Sequence, residues 1–389
     1  MALESLSSTA LAVTGLGVVS SLGWDAISSC AASRAGILRI SPLDDYVGRD
    51  PETGNAEPVR GHTVSGCTEG FTGVGRLVRL GVAALLDLQR SMQEGLWKQT
   101  GLVLNLSSGL HLQAASAATG QTFWASDPGA NDEELGENVL EDLHRQQEQR
   151  LLSRLTRLAG MPVPSSNCQV FRGDQAGFLH VLEAAARQLQ GRNISRCIIG
   201  GIDSYVDKPL VQALDELRLL KTPSRPQGAL PGECAVFLLV ELLESARRRG
   251  AHIGCVLGTR AIQREAHDRF PGKRSQGVAL AEAISQVWQA LTPRQHPGRL
   301  IGNLTGDERR AYDWGFAASR LQGRGFPTDL PAWHTGLSFG EIGAATAPMA
   351  IALATRAFAR GYAGTQSMMV WLSSDSRERG ALHVLAPPS

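Results

Sequence analysis

The groups in this chain that could do covalent or acid–base chemistry are few and scattered. Six cysteines stand at Cys30, Cys67, Cys168, Cys197, Cys234 and Cys255. No two form a CxxC pair, and none sits at metal-ligand spacing from a histidine. No metal site is expected, and each thiol reads as a small buried hydrophobe. Cys168 opens a short apolar run, Cys168-Gln-Val-Phe, that reads as a strand. A sharp turn, Arg172-Gly173-Asp174-Gln175, follows and leads into an Ala-rich stretch. Asp174 there reads as an N-cap, its carboxylate accepting the amides of the following helix and held ionised by the helix dipole. Asp307, Glu308, Arg309 and Arg310 read as a solvated turn. Glu233 reads as capping or hydrogen-bonding a turn in the core, and Gly200 and Gly201 as tight backbone packing. Trp314 and Phe316 read as core anchors, a partner-facing aromatic pair being the alternative.

Elements that could position these side chains follow from periodicity. Strands are expected at 9–20, 100–106, 168–171, 197–202, 234–241, 252–262, 299–304 and 368–372. Helices are expected at 24–35, 76–90, 138–158, 176–190, 277–291 and 343–359. In the second of these, Leu77, Leu80, Ala84 and Leu88 share a face. Residues 41–75, rich in Gly, Pro, Asp and Thr, read as a surface excursion, 109–137 as a loop, and 222–232 as a Pro/Gly linker. The order turn, Ala-rich helix, short loop, apolar strand occurs at 172–201 and again at 336–372. That weak internal duplication, with strands alternating with helices, implies an α/β architecture of layered sheets and helices. The expected division is 1–250, with insertions at 41–75 and 109–158, and 251–389.

The chain has 389 residues, 43% of them hydrophobic and 19% charged, which excludes a disordered or fibrous chain. Its 38 basic and 37 acidic residues leave a net charge of +1, no footprint for nucleic acid or an anionic membrane. No apolar run approaches the ~18–20 residues of a membrane span, and Gly343 to Thr355 reads as a buried helix. The start, Met1 to Ser8, lacks a basic stretch, so a cytoplasmic location is expected.

Several short stretches resemble the β-ketoacyl-acyl-carrier-protein synthases of the thiolase superfamily. Ala12 to Gly23, AVTGLGVVSSLG, is similar to the family's opening. Ile199-Gly200-Gly201-Ile202-Asp203 resembles its GG-x-[DE] strand end, and Pro231-Gly232-Glu233-Cys234-Ala235-Val236 its GEGA strand. Glu241 to Ala251 resembles the LE-x-A-x-x-RGA segment. Thr335-Gly336 through Gly340 and Gly343-Ala344-Ala345 resemble TGH-x-x-GAAG. These matches run in family order along nearly the whole chain. The resemblance implies a duplicated five-layer αβαβα thiolase fold, usually dimeric. It also implies a Cys nucleophile at a helix N-terminus, assisted by two His, or a His and an Asn, and a Lys.

The sequence departs from that pattern at each functional position. The turn expected to carry A-C-x-S-G reads Gly173-Asp174-Gln175-Ala176-Gly177. Anchoring on Gly177 puts Asp174 at the nucleophile; counting back from Gly200-Gly201 puts Gln175 there. Cys168 lies six residues before Asp174 and would miss the helix N-terminus. The first His position of N-A-H-G-T falls on Thr305 within Asn303-Leu304-Thr305-Gly306-Asp307, and the second falls on Leu337. The Lys position falls near Ala332, and His334 stands three residues too early for the second His. Ser373 to Gly380 replaces a glycine-rich loop with charged residues. No catalytic residues and no cofactor are therefore expected.

The leading expectation is a pseudoenzyme that binds a protein partner as an adaptor or accessory factor. The stretches Gly302 to Phe316, Pro58 to His62 and Gly70 to Leu77 resemble stand-alone thiolase-like proteins of proteobacteria, some of which sit beside type VI secretion genes. That points to an effector or secretion component as partner. Alternatively, Asp174-Gln175-Ala176-Gly177 resembles the E-Q-A-G turn of chain-length factors, which pair with a ketosynthase. A third reading keeps residual acyl-transfer or decarboxylase chemistry. A homodimer or a heterodimer is expected, with no nucleic acid and no membrane span.

Overall fold

The computed structural model describes residues 10–50, 52–92, 97–121, 137–191, 194–270 and 272–388, with backbone alone for 137–144. In chain order the elements are β1 (Leu11–Ser20), α1 (Ala26–Arg34), β2 (Ser41–Arg49), β3 (Ala56–Gly61), α2 (Gly73–Gln89), β4 (Thr100–Leu106), α3 (Leu110–Thr119) and α4 (Glu137–Leu158). Then come β5 (Cys168–Arg172), α5 (Asp174–Gln190), β6 (Arg196–Ser204), α6 (Lys208–Glu216), β7 (Glu233–Leu242), α7 (Leu243–Arg248), β8 (Cys255–Arg264) and α8 (Val278–Gln289). The chain closes with β9 (Arg299–Gly302), α9 (Glu308–Gln322), β10 (Ala332–His334), α10 (Thr335–Phe339), α11 (Thr346–Ala359), β11 (Ser367–Ser373) and β12 (Glu378–Leu385).

Strand order carries the duplication. Ten strands run β10-β9-β11-β12-β8-β1-β7-β6-β4-β5. On one side β5, β4 and β6 are parallel, and β7 and β1 follow antiparallel. On the other, β10, β9 and β11 are parallel, and β12 and β8 follow antiparallel. The two sets meet through a short antiparallel contact, Leu11↔Leu257 to Val13↔Cys255. In each set a helix runs directly into the third parallel strand, α5 into β6 and α11 into β11.

Those two helices explain the layering. In α5, Ala176, Phe178, Leu179, Val181, Leu182 and Ala184 to Ala186 are all buried, and in α11 nearly every residue from Thr346 to Ala357 is. A helix apolar all round must be covered all round. Both lie between the sheets and touch strands of each set. Outside, α2 packs on β1, β6 and β7 beneath α4, and α8 packs on β8, β11 and β12 beside α9. The result is five layers, αβαβα.

The expected surface excursion at 41–75 instead holds a two-stranded sheet, β2 with β3, whose Leu43 and Val59 pack with Val211 and Leu214 of α6. The expected loop at 109–137 contains α3, bounded by Gly109 and Gly120, both at positive φ; residues 122–136 lie outside the described set, as do Met1 to Ser8. The turn expected at 307–310 is the start of α9, capped by the Asp307 side chain on the Arg309 amide. No described helix is long and apolar enough to cross a membrane.

Candidate functional site

Where β5 turns into α5, Asp174 adopts φ +50. Among the described residues, only Asp174 and Arg218 take positive φ without being glycine. A strained residue at a strand-to-helix elbow is the geometry that presents the nucleophile in α/β-hydrolases. Of the two candidates from the sequence, Asp174 occupies the elbow and Gln175 the next turn of backbone. Gly173 opposite is required, since a Cβ there would lie 2.5 Å from the Gly177 Cα.

Asp174 is not the N-cap of α5; Gly173 holds that place. Its carboxylate turns away from the helix and accepts the Ser108 amide at 2.8 Å and the Ser108 hydroxyl at 2.6 Å. Asn105 Nδ2 donates to the Asp174 carbonyl at 2.5 Å. The expectation that the helix dipole favours the ionised group meets an opposing effect. Burial pushes its carboxyl above the usual range, against the Ser108 donors that favour the charge. The Ala176 amide of α5 donates to Ser374 Oγ at 2.9 Å.

Beneath the elbow lies a connected network of charges. Gln175 is fully buried, and its Nε2 donates to Glu341 Oε1 at 2.9 Å. Glu341 also accepts the Gly343 amide at 2.9 Å and pairs with Arg310. Arg310 reaches Asp375 at 3.4 Å and donates to the Asn303 carbonyl at 3.2 Å. Asp375 in turn takes Arg269 at 3.0 Å and His111 Nε2 at 2.9 Å. Arg269 continues to Asp307. Burial alone would raise the Asp375 carboxyl, but the Arg269 and Arg310 guanidinium groups outweigh it and hold it well below the usual range. The reading of Asp307 to Arg310 as a solvated turn is thus overturned for Asp307 and Arg310, which are buried, because their partners come from distant segments. A small chamber of about 20 Å³ lies among His111, Tyr205, Arg269, Arg310, Glu341 and Asp375. That is room for about one water, and the buried Tyr205 hydroxyl has no partner there.

The other positions do not converge on one cavity. Thr305, after β9, is half-buried, with its hydroxyl oxygen buried and unpartnered. Gly336 packs onto that turn, a Cβ there being 2.4 Å from the Leu304 carbonyl. Leu337 on α10 is 63% exposed, and Ala332 on β10 is exposed. His334 is half-buried, edge-on to Trp371 at 6.0 Å, and burial lowers its pKa. Cys168 lies on β5, donates to the Pro164 carbonyl at 3.4 Å, and burial pushes its thiol up to about 11. Glu233 binds the Val64 amide, Thr68, Ser204 and Arg76 in the core. Gly200 and Gly201 are tightly packed against Phe237 and the Ala344 carbonyl. Trp314 stacks on Trp371 at 4.5 Å, whereas Phe316 is 40% exposed and so is not the core anchor expected of it. Sequence reasoning missed His111, Tyr205, Arg269, Glu341 and Asp375. A signal existed for Glu341 alone, an acid set between Gly340 and Gly343 in an otherwise small, apolar run.

No protein-family model matches the chain. Among solved structures, it is similar to a type II polyketide ketosynthase in complex with its acyl-carrier protein, at TM-score 0.71 and 13% identity over 97% of this chain and 99% of that one. It is similar to the ishigamide ketosynthase/chain length factor, at 0.69 and 18% over the same shares, and to a β-ketoacyl synthase from Burkholderia phymatum, at 0.68 and 14% over the same shares. The chain has the thiolase fold. Among curated proteins, 100 residues are 33% identical to polyketide β-ketoacyl synthase 1 of Streptomyces cyaneus, covering 23% of this chain and 24% of that protein. The match thus spans about a quarter of that relative's length.

On this thiolase fold the elbow residue is a carboxylate with both oxygens engaged by Ser108, not a thiol. A carboxylate can attack a carbonyl only when desolvated and aimed at substrate. Here its surroundings are donors fixed to it and side chains bound to one another. Among the described residues, no group of three or more His, Cys, Asp or Glu is arranged to hold a metal ion. What the arrangement does well is cross-link: Asn303, Glu341, Asp375 and Arg310 tie β9, α9, the α10–α11 turn and the β11–β12 turn to α5.

Proposed function

We propose that this chain is a non-catalytic thiolase-fold protein that works by binding another protein. The observation that supports this reading is the replacement at the elbow. Asp174 is satisfied by Ser108, and the space beneath it is taken by the Gln175–Glu341–Arg310–Asp375 network rather than by an acyl-binding thiol and its imidazoles. The partner in the first reading is an effector or secretion component, favoured by the likeness of Gly302 to Phe316 to stand-alone thiolase-like proteins. A second reading, a chain-length-factor-like subunit paired with a ketosynthase, is favoured by the Asp174-Gln175-Ala176-Gly177 turn and by the likeness to a ketosynthase/chain length factor structure.

The test is purification of the tagged chain, expressed at native level, with mass spectrometry of co-purifying proteins, alongside an assay of malonyl-thioester decarboxylation. Secretion or effector proteins with no acyl carrier support the first reading. A ketosynthase near 1:1 supports the second. Turnover that disappears in Gln175→Ala overturns both and restores the enzyme reading.

A further inference from the structure

A cleft of about 380 Å³ opens beside that network, sharing Arg269 and Asp307 with it, between the 217–228 loop and the start of α9. Its lining includes Arg218, Arg225, Arg269 and Arg309 with two carboxylates, Asp307 and Glu308. The size falls in the range of small-molecule sites. Its charges do not balance. Arg225 pairs with Asp215, and Arg269 pairs with Asp307 and Asp375. Glu308 reaches Arg274, which does not line the cleft, at 3.9 Å. That leaves Arg218 and Arg309, neither of which forms an ion pair among the described residues. Arg309 donates instead to the Arg269 carbonyl. The Arg225 Nε is buried without a partner.

A separate observation concerns the backbone. Arg218 follows the end of α6 at φ +56. The Leu219 amide donates to the Leu214 carbonyl at 2.8 Å, and the Arg218 amide to the Asp215 carbonyl at 2.8 Å, the closing bonds of a helix C-terminus. Glycine is the usual occupant of that left-handed position, because any side chain is strained there. Arg218 is exposed, and its side chain makes no hydrogen bond or ion pair among the described residues. Strain kept without structural compensation points to a ligand clamp.

We propose that this cleft binds a small multivalent oxyanion, with Arg218 and Arg309 as its principal ligands. Guanidinium forks match phosphate and carboxylate oxygens bidentately, and two arginines without an ion pair in one concave surface favour a ligand of more than one charge. The site does not depend on the protein-binding role proposed above.

Isothermal titration of the full chain with pyrophosphate and with citrate, at an ionic strength fixed with chloride, tests this. Saturable 1:1 binding of at least one probe is expected, pyrophosphate indicating a phosphate ligand and citrate a polycarboxylate. Arg218→Gly should weaken that binding at least tenfold while raising the melting temperature of the free protein by roughly 1–2 °C, since it relieves the strain. Arg309→Gln should weaken binding to a similar extent. No saturable binding of either probe overturns the proposal. So does wild-type affinity in Arg218→Gly, a variant that the backbone tolerates better than the native residue.

Discussion

At Asp203 burial and hydrogen bonding compete on one side chain, and burial wins. Its carboxylate accepts the Ala344 amide and the Ser204 amide, each at 2.9 Å, and burial still pushes its pKa up to about 7. The folded protein therefore holds a proton there that the unfolded chain releases near pH ~4. In that window the native state binds more protons, so this group's contribution to stability falls as pH rises from ~4 to about 7. Asp203→Asn removes that slope. The expected outcome is that wild type loses stability relative to the variant by roughly 2–4 kcal/mol across the window, read by denaturant unfolding at several pH values. Parallel curves would sink the assignment. Asp375 has the opposite sign: held low by Arg269 and Arg310, it stabilises above the ordinary carboxylate range and loses that contribution on acidification. Arg310→Ala strands Glu341 and weakens the hold on Asp375 inside the protein. It should cost about 3–5 kcal/mol, far more than an exposed pair such as Arg324 with Glu282.

Between elements, the sheets and central helices approach so closely that single hydrogen atoms matter. A Cβ at Gly201 of β6 would stand 2.1 Å from the Ala344 carbonyl, where the turn leading into α11 packs against that strand. Backbone meets backbone there, so neither side can swing away. Gly201→Ala should destabilise by about 1–3 kcal/mol or more. Gly315, inside α9, has nothing within 4 Å of its would-be Cβ, and Gly315→Ala should stabilise by about 0.5–1 kcal/mol. Thermal unfolding of the pair separates packing from propensity. The same element explains why part of the site was illegible. The buried stripe of α9 is Arg310, Asp313, Ala317 and Leu321, a helical spacing with two charged members. Hydrophobic periodicity cannot register such a face, and the partners that make it buriable, Glu341 for Arg310 and Ser373 and Arg379 for Asp313, stand 31 to 66 residues away. The α5–β6 and α11–β11 units were legible because a helix buried on all sides must be apolar on all sides. The hairpin β2–β3 was not, because its exposed Asp44 and Asp45 and its Pro42 mask a single inward face.

For the molecule as a whole, on the proposed non-catalytic reading, the departure from a thiol centre is either one substitution deep or built into the packing. The starts of α5 and of the turn leading into α11 meet in the middle layer, and an amide of each is bonded: the Ala176 amide to Ser374 and the Ala344 amide to Asp203. A thiol placed at the elbow would be as buried as Asp174 is, and burial elsewhere in the fold pushes Cys255 up to about 12 and Cys168 up to about 11. Imidazoles at the two histidine positions would not come to its aid equally. One at 305 would be half-buried, and one at 337 would stand where Leu337 is 63% exposed to solvent. Asp174→Cys is therefore expected to react with iodoacetamide at pH 7.5 much more slowly than free cysteine, and to form no thioester with an acyl-thioester donor. Adding Thr305→His and Leu337→His should not change that. Intact-mass spectrometry after incubation with the donor reads both outcomes directly. An acyl adduct on Asp174→Cys alone would mean that the centre is still open and shaped for an acyl chain, and that one side chain separates this molecule from catalysis. The absence of an adduct in the single and triple variants would place the loss in the Glu341–Arg310–Asp375 network itself, where reversal requires rebuilding the contacts between the two halves rather than restoring a nucleophile.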